Sequence, residues 1–356
     1  MNMPEKPKKK LRVLVLLDCG TAPPENQDFT EELKTADWLT EASVLKALKK
    51  LGHEVSTVGI YDSISPLVDS IDKYKPDVVF NLAEVFRNKY HLDKNVVSLL
   101  EMFGIAYTGS GTTALALCNN KVLTKKILTY HRIKVPNFQV FRKGKKFRLL
   151  KHLSFPAIVK PTKEEASTGI VKASFAMNAD DLCERIKFIH ERLDGDAIAE
   201  QYINGRELYL SILGSRRLRT LPLREMKFGQ IPDDGPKIAT YKAKWDNDYR
   251  KRWDIKNKFA NGIPPEIDKK IRRIGRKAYH ALNLQGYGRF DLRLTPDGEV
   301  FVLEANANPS LAPDDEVAES AKKAGITYEQ LIRRILNLGL AALNPPIPFD
   351  NQLYFC

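Results

Sequence analysis

The stretch 287-YGRFDLRLTPDGEVFVLEANANPSL-311 decides how the chain is read. Apolar Phe290, Leu292 and Leu294 alternate with Arg289, Asp291 and Arg293. On the return, Phe301, Leu303 and Ala305 alternate with Glu304, Asn306 and Asn308. Such alternation predicts two half-buried strands. Between them, Asp297-Gly298 supplies the positive-φ pair of a type I′ hairpin turn. With those two residues as the loop, Pro296 faces Glu299, Asp291 faces Glu304 and Arg289 faces Asn306. Like charges directly opposite each other destabilise a ladder. Either the pair lies on a solvated face, or a divalent cation sits between the carboxylates. Mg²⁺ takes oxygen ligands, and one or two carboxylates with substrate phosphates suit it. The amide oxygen of Asn306 is then a third ligand. The hairpin alone leaves both readings open.

The chain has 356 residues, enough for two or three domains, and 43% of them are hydrophobic, which suits a soluble globular protein. No run of 18 apolar residues predicts a membrane span. The basic start MNMPEKPKKK runs into a short strand-like LRVLVLL without a small-residue cleavage site, which reads against a signal peptide. Cys19, Cys118, Cys183 and Cys356 show no CxxC spacing, which reads against a disulfide frame or zinc site and for a reducing cytoplasm. The net charge of +13 calls for an anionic partner: nucleotide, phosphate, acidic peptide or nucleic acid. Basic residues concentrate in 241-YKAKWDNDYRKRWDIKNKFANG-262.

Residues 11–118 read as βαβαβ: LRVLVLL, a helix over TADWLTEASVLKALKKLG, HEVSTVGI, a helix over PLVDSIDKYK, and PDVVFNLAE. That order predicts parallel strands with crossover helices. No GxGxxG follows the first strand, so a dinucleotide site is not supported. Further on, KVLTKKILTYHRIKVP reads as a helix closed by Pro136, and NFQVF, FPAIVKP and GIVKASFAM as strands. Asn178 caps the helix NADDLCERIKFIHERLDG. DAIAEQYI and RELYLSILG are strands joined by an Asn-Gly turn. Residues 229–263 read as a long basic loop with some helix. PEIDKKIRRIGRKAYHALNL and TYEQLIRRILNLGLAAL are the last helices, and a Pro-rich tail follows.

Three places carry chemistry besides the hairpin. Lys160 ends a strand, and Ser167-Thr168-Gly169 opens the next; a small-residue loop beside a lysine wraps polyphosphate, or is an ordinary exposed hairpin loop. GxxxxGK[ST] is absent, so this is not a P-loop. Glu200 ends a strand and Glu207 follows a turn; both are solvated, or they bind an adenine edge and ribose hydroxyls.

In order, Lys121, Lys160 with its loop, Glu200-Gln201-Tyr202-Ile203, Glu207, Arg289-Phe290-Asp291 and Glu304-Ala305-Asn306 resemble the ATP-grasp superfamily. FGIAYTGSGTTALALCNNK (103–121) and QGYGRFDLRL…VLEANANP are similar to motifs of its D-alanine–D-alanine ligase branch. The likeness spans roughly residues 11–343. It implies an α/β (α+β) ATP-grasp fold. A Rossmann-like parallel-sheet domain (11–119) precedes two subdomains (120–205 and 206–343) that sandwich ATP, flanked by a basic segment 1–10 and the tail 344–356. It also implies that Lys121 and Lys160 meet the ATP phosphates, with Ser167, Thr168 and Gly169 around them. Glu200, Gln201, Tyr202 and Ile203 line the adenine pocket, and Glu207 takes the ribose. Asp291, Glu304 and Asn306 hold Mg²⁺, with Mn²⁺ the alternative ion. Arg289 stabilises the phosphoryl group in flight, and Lys244 reaches the γ-phosphate from a mobile loop.

The departures from the branch concern substrate. Its Gly-Ser-Ser run is here Glu165-Ala166-Ser167, its Tyr after the loop lysine is Trp245, and its early ammonium-binding Glu aligns with Thr35. Ser310 replaces a Gly, and Asp314 and Asp315 stand near the place of a carboxylate-binding Ser, which favours an amine or cation there. The reading is an ATP-dependent carboxylate–amine ligase, acting on amino acids or peptides, through an acyl phosphate, with an altered substrate pocket. The alternatives are a true D-alanine–D-alanine ligase and a nucleotide-binding regulator without ligase chemistry. The basic 240–258 segment is a solvated helix or loop, or it steers an acidic peptide or other polyanionic acceptor to the site. Nucleic acid gains no specific support, a homodimer stays open, and no membrane partner is expected.

Overall fold

Hairpin register explains why the central carboxylates meet, although the turn is not the one expected. In a computed structural model covering residues 10–150, 153–162, 174–231 and 237–343, the loop holds three residues, with Thr295 paired to Glu299 through a 2.9 Å bond from Thr295 N. Gly298 alone takes positive φ, at 83°, so this is not the type I′ turn of Asp297-Gly298. The extra loop residue shifts the ladder by one: Leu292 pairs with Val302, and Leu294 with Val300. A bulge at Leu303 then shifts it back, and Asp291 faces Glu304 and Arg289 faces Asn306 as expected. The core face of the return strand therefore carries Val300, Val302 and Ala305; Phe301 and Leu303 are only half-buried.

Along the chain the elements are β1 (Arg12–Asp18), α1 (Leu39–Lys50), β2 (Glu54–Ile60), α2 (Ser65–Tyr74), β3 (Val78–Asn81), α3 (Asp93–Met102), α4 (Thr112–Cys118), α5 (Lys121–Tyr130), β4 (Phe138–Phe141), β5 (Ala157–Pro161), β6 (Phe175–Ala176), α6 (Ala179–Arg192) and β7 (Ala197–Gln201). There follow β8 (Arg206–Leu213), β9 (Arg219–Thr220), β10 (Arg224–Phe228), α7 (Tyr241–Trp245), α8 (Asn247–Arg252), β11 (Ile255–Phe259), α9 (Pro265–Ala281), β12 (Tyr287–Leu294), β13 (Val300–Asn306), α10 (Glu316–Lys323) and α11 (Tyr328–Leu343).

Three sheets organise these elements. The first is parallel, in the order β2-β1-β3, as the βαβαβ pattern requires. β1 is buried on both faces, and its Val13, Val15 and Leu17 pack with Leu331, Ile332 and Ile335 of the last helix, so α11 shares the core of the first sheet. The second sheet is antiparallel, β4-β7-β5-β6. The third runs β11-β10-β8-β12-β13, with β9 beside β8. α9 covers one of its faces through Ile271, Ala278 and Tyr279. No helix of the described residues is long and apolar enough to cross a membrane.

Several local expectations change. The helix expected to reach Pro136 stops at Tyr130, and Arg132 takes positive φ at 54°. Asn178 caps α6 as expected, its Oδ1 accepting from the N–H groups of Asp180 and Asp181. Asn204-Gly205 does not close a hairpin: β7 and β8 belong to different sheets, and the turn carries the chain from one to the other. At Gly205 a Cβ would meet Leu294 O at 2.2 Å, so only glycine lets this crossing lie against β12. Residues 255–259, read as loop, are the edge strand β11. Of the expected strand GIVKASFAM, only Phe175–Ala176 is described as strand, and residues 169–173 lie outside the described residues.

Candidate active site

β12 and β13 bring the hairpin carboxylates to the cleft side of the third sheet. Asp291 is 3% exposed. Arg289 Nε donates to its Oδ1 at 2.8 Å, Asn306 Nδ2 donates to the same oxygen at 3.3 Å, and Lys244 Nζ lies 3.6 Å from Oδ2. Glu304 takes Lys121 Nζ at 3.1 Å. Burial pushes the Glu304 carboxyl up, but Lys121, Lys244 and Lys160 outweigh it and hold the group ionised, below its ordinary range. The facing carboxylates are thus neutralised by cations of this chain, not by a solvated face. Two carboxylates and an amide suit a hard cation once the Asn306 amide, whose Nδ2 here donates to Asp291, turns over to present its oxygen. Among the described residues there is no cluster of three or more His, Cys, Asp or Glu that could hold a metal, so this set rests on the amide as its third donor.

Arg289 is clamped on both sides. Its Nη1 donates to Glu316 Oε2 at 3.1 Å, its guanidinium lies 5.3 Å from the centre of the Tyr209 ring, and its pKa is raised further despite burial, because Asp291 and Glu316 favour the charge. Asn257 Nδ2 in turn donates to Glu316 Oε1 at 2.7 Å. Glu316 lies on α10, a helix that the sequence reading passed over.

The second sheet supplies the other half of the cleft. Glu200, on β7, is 2% exposed and not solvated. Lys160 Nζ donates to its Oε2 at 3.2 Å. Lys125 Nζ is 3.3 Å from Oε1 but poorly aligned, so that oxygen is buried with no hydrogen-bond partner among the described residues. Burial alone raises the Glu200 carboxyl; Lys125 and Lys160 reverse the direction and lower it. Gln201 N and Tyr202 N donate to Asn137 O and Pro156 O at 2.8 Å, and Ile203 is buried. Ser167, Thr168 and Gly169, with Glu165 and Ala166, lie outside the described residues.

Glu207 is also buried, contrary to a solvated reading. Arg293, its ladder partner, donates to Oε2 at 2.7 Å, and Tyr209 OH donates to Oε1 at 3.1 Å. Arg293 also reaches the Gly205 and Lys237 carbonyls, at 3.0 and 2.9 Å. Sequence reasoning missed Arg293, although it stands in the same alternating row as Arg289 and Asp291.

Lys244 sits in α7, capped by Thr240 and followed by α8. Arg250 Nη1 donates to Ala243 O at 2.6 Å and Lys244 O at 3.4 Å, so Arg250 braces the turn that carries Lys244. Lys251 and Arg252 are exposed.

A cavity of ≈ 190 Å³ opens beyond Arg289, Lys244 and Glu304. Its lining also carries Glu84, Asp93 and Asp315, with Glu316 beside Arg289. Asp314 is exposed. Thr35 is exposed too, its hydroxyl donating to Glu32 O at 2.8 Å. The early carboxylate that approaches the site is Glu41, which lines a side lobe with Glu84, Asn308 and Ser310. Glu41 Oε2 is buried without a hydrogen-bond partner among the described residues. The segment 103–121 docks this N-terminal wall onto the hairpin: Ser110 N donates to Asn308 Oδ1 at 2.8 Å, and a Cβ at Gly109 would meet that oxygen at 2.5 Å.

A family model described as D-ala D-ala ligase C-terminus matches residues 127–337. A D-alanine–D-alanine ligase of Ralstonia nicotianae is 32% identical over 246 residues, 68% of this chain and 70% of that one. One from Carboxydothermus hydrogenoformans is 29% identical over 330 residues, 90% and 96% of the two chains. The uncharacterized protein y4sG of Sinorhizobium fredii is 29% identical over 304 residues, 83% and 86%. The fold is similar to the crystal structure of a D-alanine–D-alanine ligase from Bacillus anthracis complexed with ATP, with a TM-score of 0.71 at 22% identity, covering 94% of this chain and 99% of that one. The two antiparallel sheets beside the charged cleft, the family model and the relatives together define the class: an ATP-grasp ligase, ADP-forming and peptide-bond-making. Within that class the chain belongs to the D-ala D-ala ligase family.

Proposed function

We propose that the protein joins a carboxylate to a cationic amine through an acyl phosphate formed from ATP. The observation that carries the amine preference is that the cavity lined by Arg289 and Lys244 is also lined by Glu84, Asp93 and Asp315. Glu316 is taken by Arg289; an ammonium entering beside Glu84, Asp93 and Asp315 favours their charged forms, whereas an anion there would not.

Lys121 and Lys160 are read as phosphate contacts, each now resting on a carboxylate that a nucleotide would share. Glu200 Oε1, near Lys125 but buried without a hydrogen-bond partner among the described residues, suits the amino edge of adenine, beside Gln201, Tyr202 and Ile203, and Glu207 suits the ribose. Asp291, Glu304 and Asn306 are the residues that would hold Mg²⁺ or Mn²⁺, which when bound offsets phosphate charge. A carboxylate oxygen attacks the γ-phosphorus and ADP leaves. The bound ammonium loses a proton, the freed amine nitrogen attacks the acyl carbon, inorganic phosphate departs, and the new amide nitrogen gives up a second proton. Arg289 and Lys244 are placed to offset charge in both steps. Ser167, Thr168 and Gly169 complete the phosphate loop in this reading. The division at 11–119, 120–205 and 206–343 is kept as part of this reading, one sheet to each part, although α4 packs with the third sheet and α10 and α11 with the first. Cys19, Cys118 and Cys183, none in a disulfide among the described residues, and the use of ATP support a cytoplasmic site.

The second reading is a D-alanine–D-alanine ligase, the activity named for the relatives. Its specific support is Glu41, an early carboxylate beside the cavity. ATP-dependent phosphate release separates the two. Release with a carboxylate donor should rise several-fold on adding diamines or basic amino acids; selective turnover of D-alanine alone establishes the second reading.

A further inference from the structure

Lys125 is, at 1% exposure, the most deeply buried lysine of the described residues, and neither the expected nucleotide contacts nor the cavity wall includes it. An enclosed ammonium needs partners. Lys125 Nζ lies 3.0 Å from Leu303 O and 3.3 Å from Glu200 Oε1. Those two groups belong to different sheets: Glu200 is on β7, and Leu303 is the bulged residue of β13. Glu200 holds Lys160 through its other oxygen. Leu303 precedes Glu304, which Lys121 holds from one turn earlier on α5. One helix face therefore grips both the bulge that aims Glu304 and the carboxylate that aims Lys160.

Resting on the nucleotide site proposed above, we infer that Lys125 is a positioning residue. Its ammonium ties the Leu303 bulge to Glu200, so that Lys160 on one sheet and Glu304 on the other keep a common geometry around the nucleotide phosphates. Stability alone does not demand a lysine, since well-packed apolar groups often replace buried ions without loss. An apolar side chain fills the volume but holds neither the carbonyl nor the carboxylate.

The test uses the full chain and ADP as the probe. ADP dissociation constants are measured by calorimetry with and without MgCl₂, for wild type, Lys125→Met and Glu304→Gln, and melting curves establish that each variant is folded at the assay temperature. The readout is the factor by which Mg²⁺ tightens ADP. Lys125→Met should shrink that factor about fivefold or more, the size expected of a residue coupled to its neighbours. Lys125→Arg, which keeps the charge and donors, should restore most of it. A purely structural role lowers the melting temperature and leaves the Mg²⁺ factor of the folded protein unchanged, which overturns the inference. If Glu304→Gln also leaves the factor unchanged, the site reading falls with it; if only Lys125→Met does, the site reading stands and Lys125 is not its positioner. Should Lys125→Met not fold, Glu200→Gln decides: a smaller Mg²⁺ factor supports the tie, and an unchanged one overturns it.

Discussion

Asp291 and Glu304 face each other across the β12–β13 ladder, and each carboxylate is met by a lysine from a different part of the chain. Lys244, from α7, lies 3.6 Å from Asp291, and Lys121, from α5, lies 3.1 Å from Glu304. The hairpin places two like charges together, and the rest of the fold converges cations on them. A nucleotide bearing Mg²⁺ would enter an arrangement already balanced in charge, competing for the lysines with its phosphates.

Removing one of these charges should disable the chemistry. Glu304→Gln is expected to lower ATP-dependent phosphate release with saturating Mg²⁺ by roughly 100-fold or more, as for other groups that organise transition-state charge. Wild-type turnover in that variant would remove Glu304 from the metal set.

Arg293 and Glu207 form a buried pair, 3% and 4% exposed at their side chains. Arg293→Leu leaves Glu207 charged and enclosed with only the Tyr209 hydroxyl, and should cost about 3 kcal/mol or more of stability. Denaturant unfolding measures this; a loss under about 1 kcal/mol would mean that Glu207 finds water instead.

The acid wall predicts a pH dependence. Enclosure raises the Glu84 carboxyl, and Asp18, Glu41, Asp315 and Asp93 add to it, so that it is pushed up to about 8. Burial is the largest cause and the acids follow it; Glu84 opens to the cavity, and water there weakens the burial contribution. A carboxyl raised in the folded state contributes stability that is complete below its ordinary value of 4.5 and is lost as pH rises through about 8. Melting temperature should therefore fall between these values, and Glu84→Gln should flatten the fall. Parallel slopes in the two proteins would exclude Glu84 as a source.

Two kinds of basic residue in the 240–258 segment should separate. Arg250→Ala loosens the carbonyls of Ala243 and Lys244 and should lower turnover about tenfold through Lys244. Reversing the exposed Lys251 and Arg252 to Glu should leave the KM for a cationic amine nearly unchanged. A several-fold rise in KM for an acidic peptide in that double variant, at low salt, would instead assign the segment to an anionic acceptor.

Much of the fold was legible because its signals are local. Alternation gave the strands of the hairpin, and the βαβαβ order gave the parallel sheet. The facing of Asp291 and Glu304 emerged correctly by two compensating errors: a two-residue turn was assumed where three residues turn, and the Leu303 bulge, which has no local signature, cancels the shift. β11 was missed because its Lys256 and Lys258 alternate on an exposed edge, where charge reads as loop. Of the site, the carboxylates and lysines on motif positions were found. Lys125 was not, although its place four residues after Lys121 puts both on one buried helix face. Glu41, Arg293 and Glu316 reach the cleft only through tertiary packing.

The central claim is that a substrate carboxylate is activated by ATP as an acyl phosphate and captured by an amine. Its most direct test labels the carboxylate oxygens of the donor substrate with ¹⁸O and follows turnover in unlabelled water with ATP, Mg²⁺ and the amine. The account predicts one ¹⁸O in each released phosphate, in step with an amide product that has lost one labelled oxygen. Phosphate released without label would mean that ATP is hydrolysed by water, and would contradict ligation through an acyl phosphate.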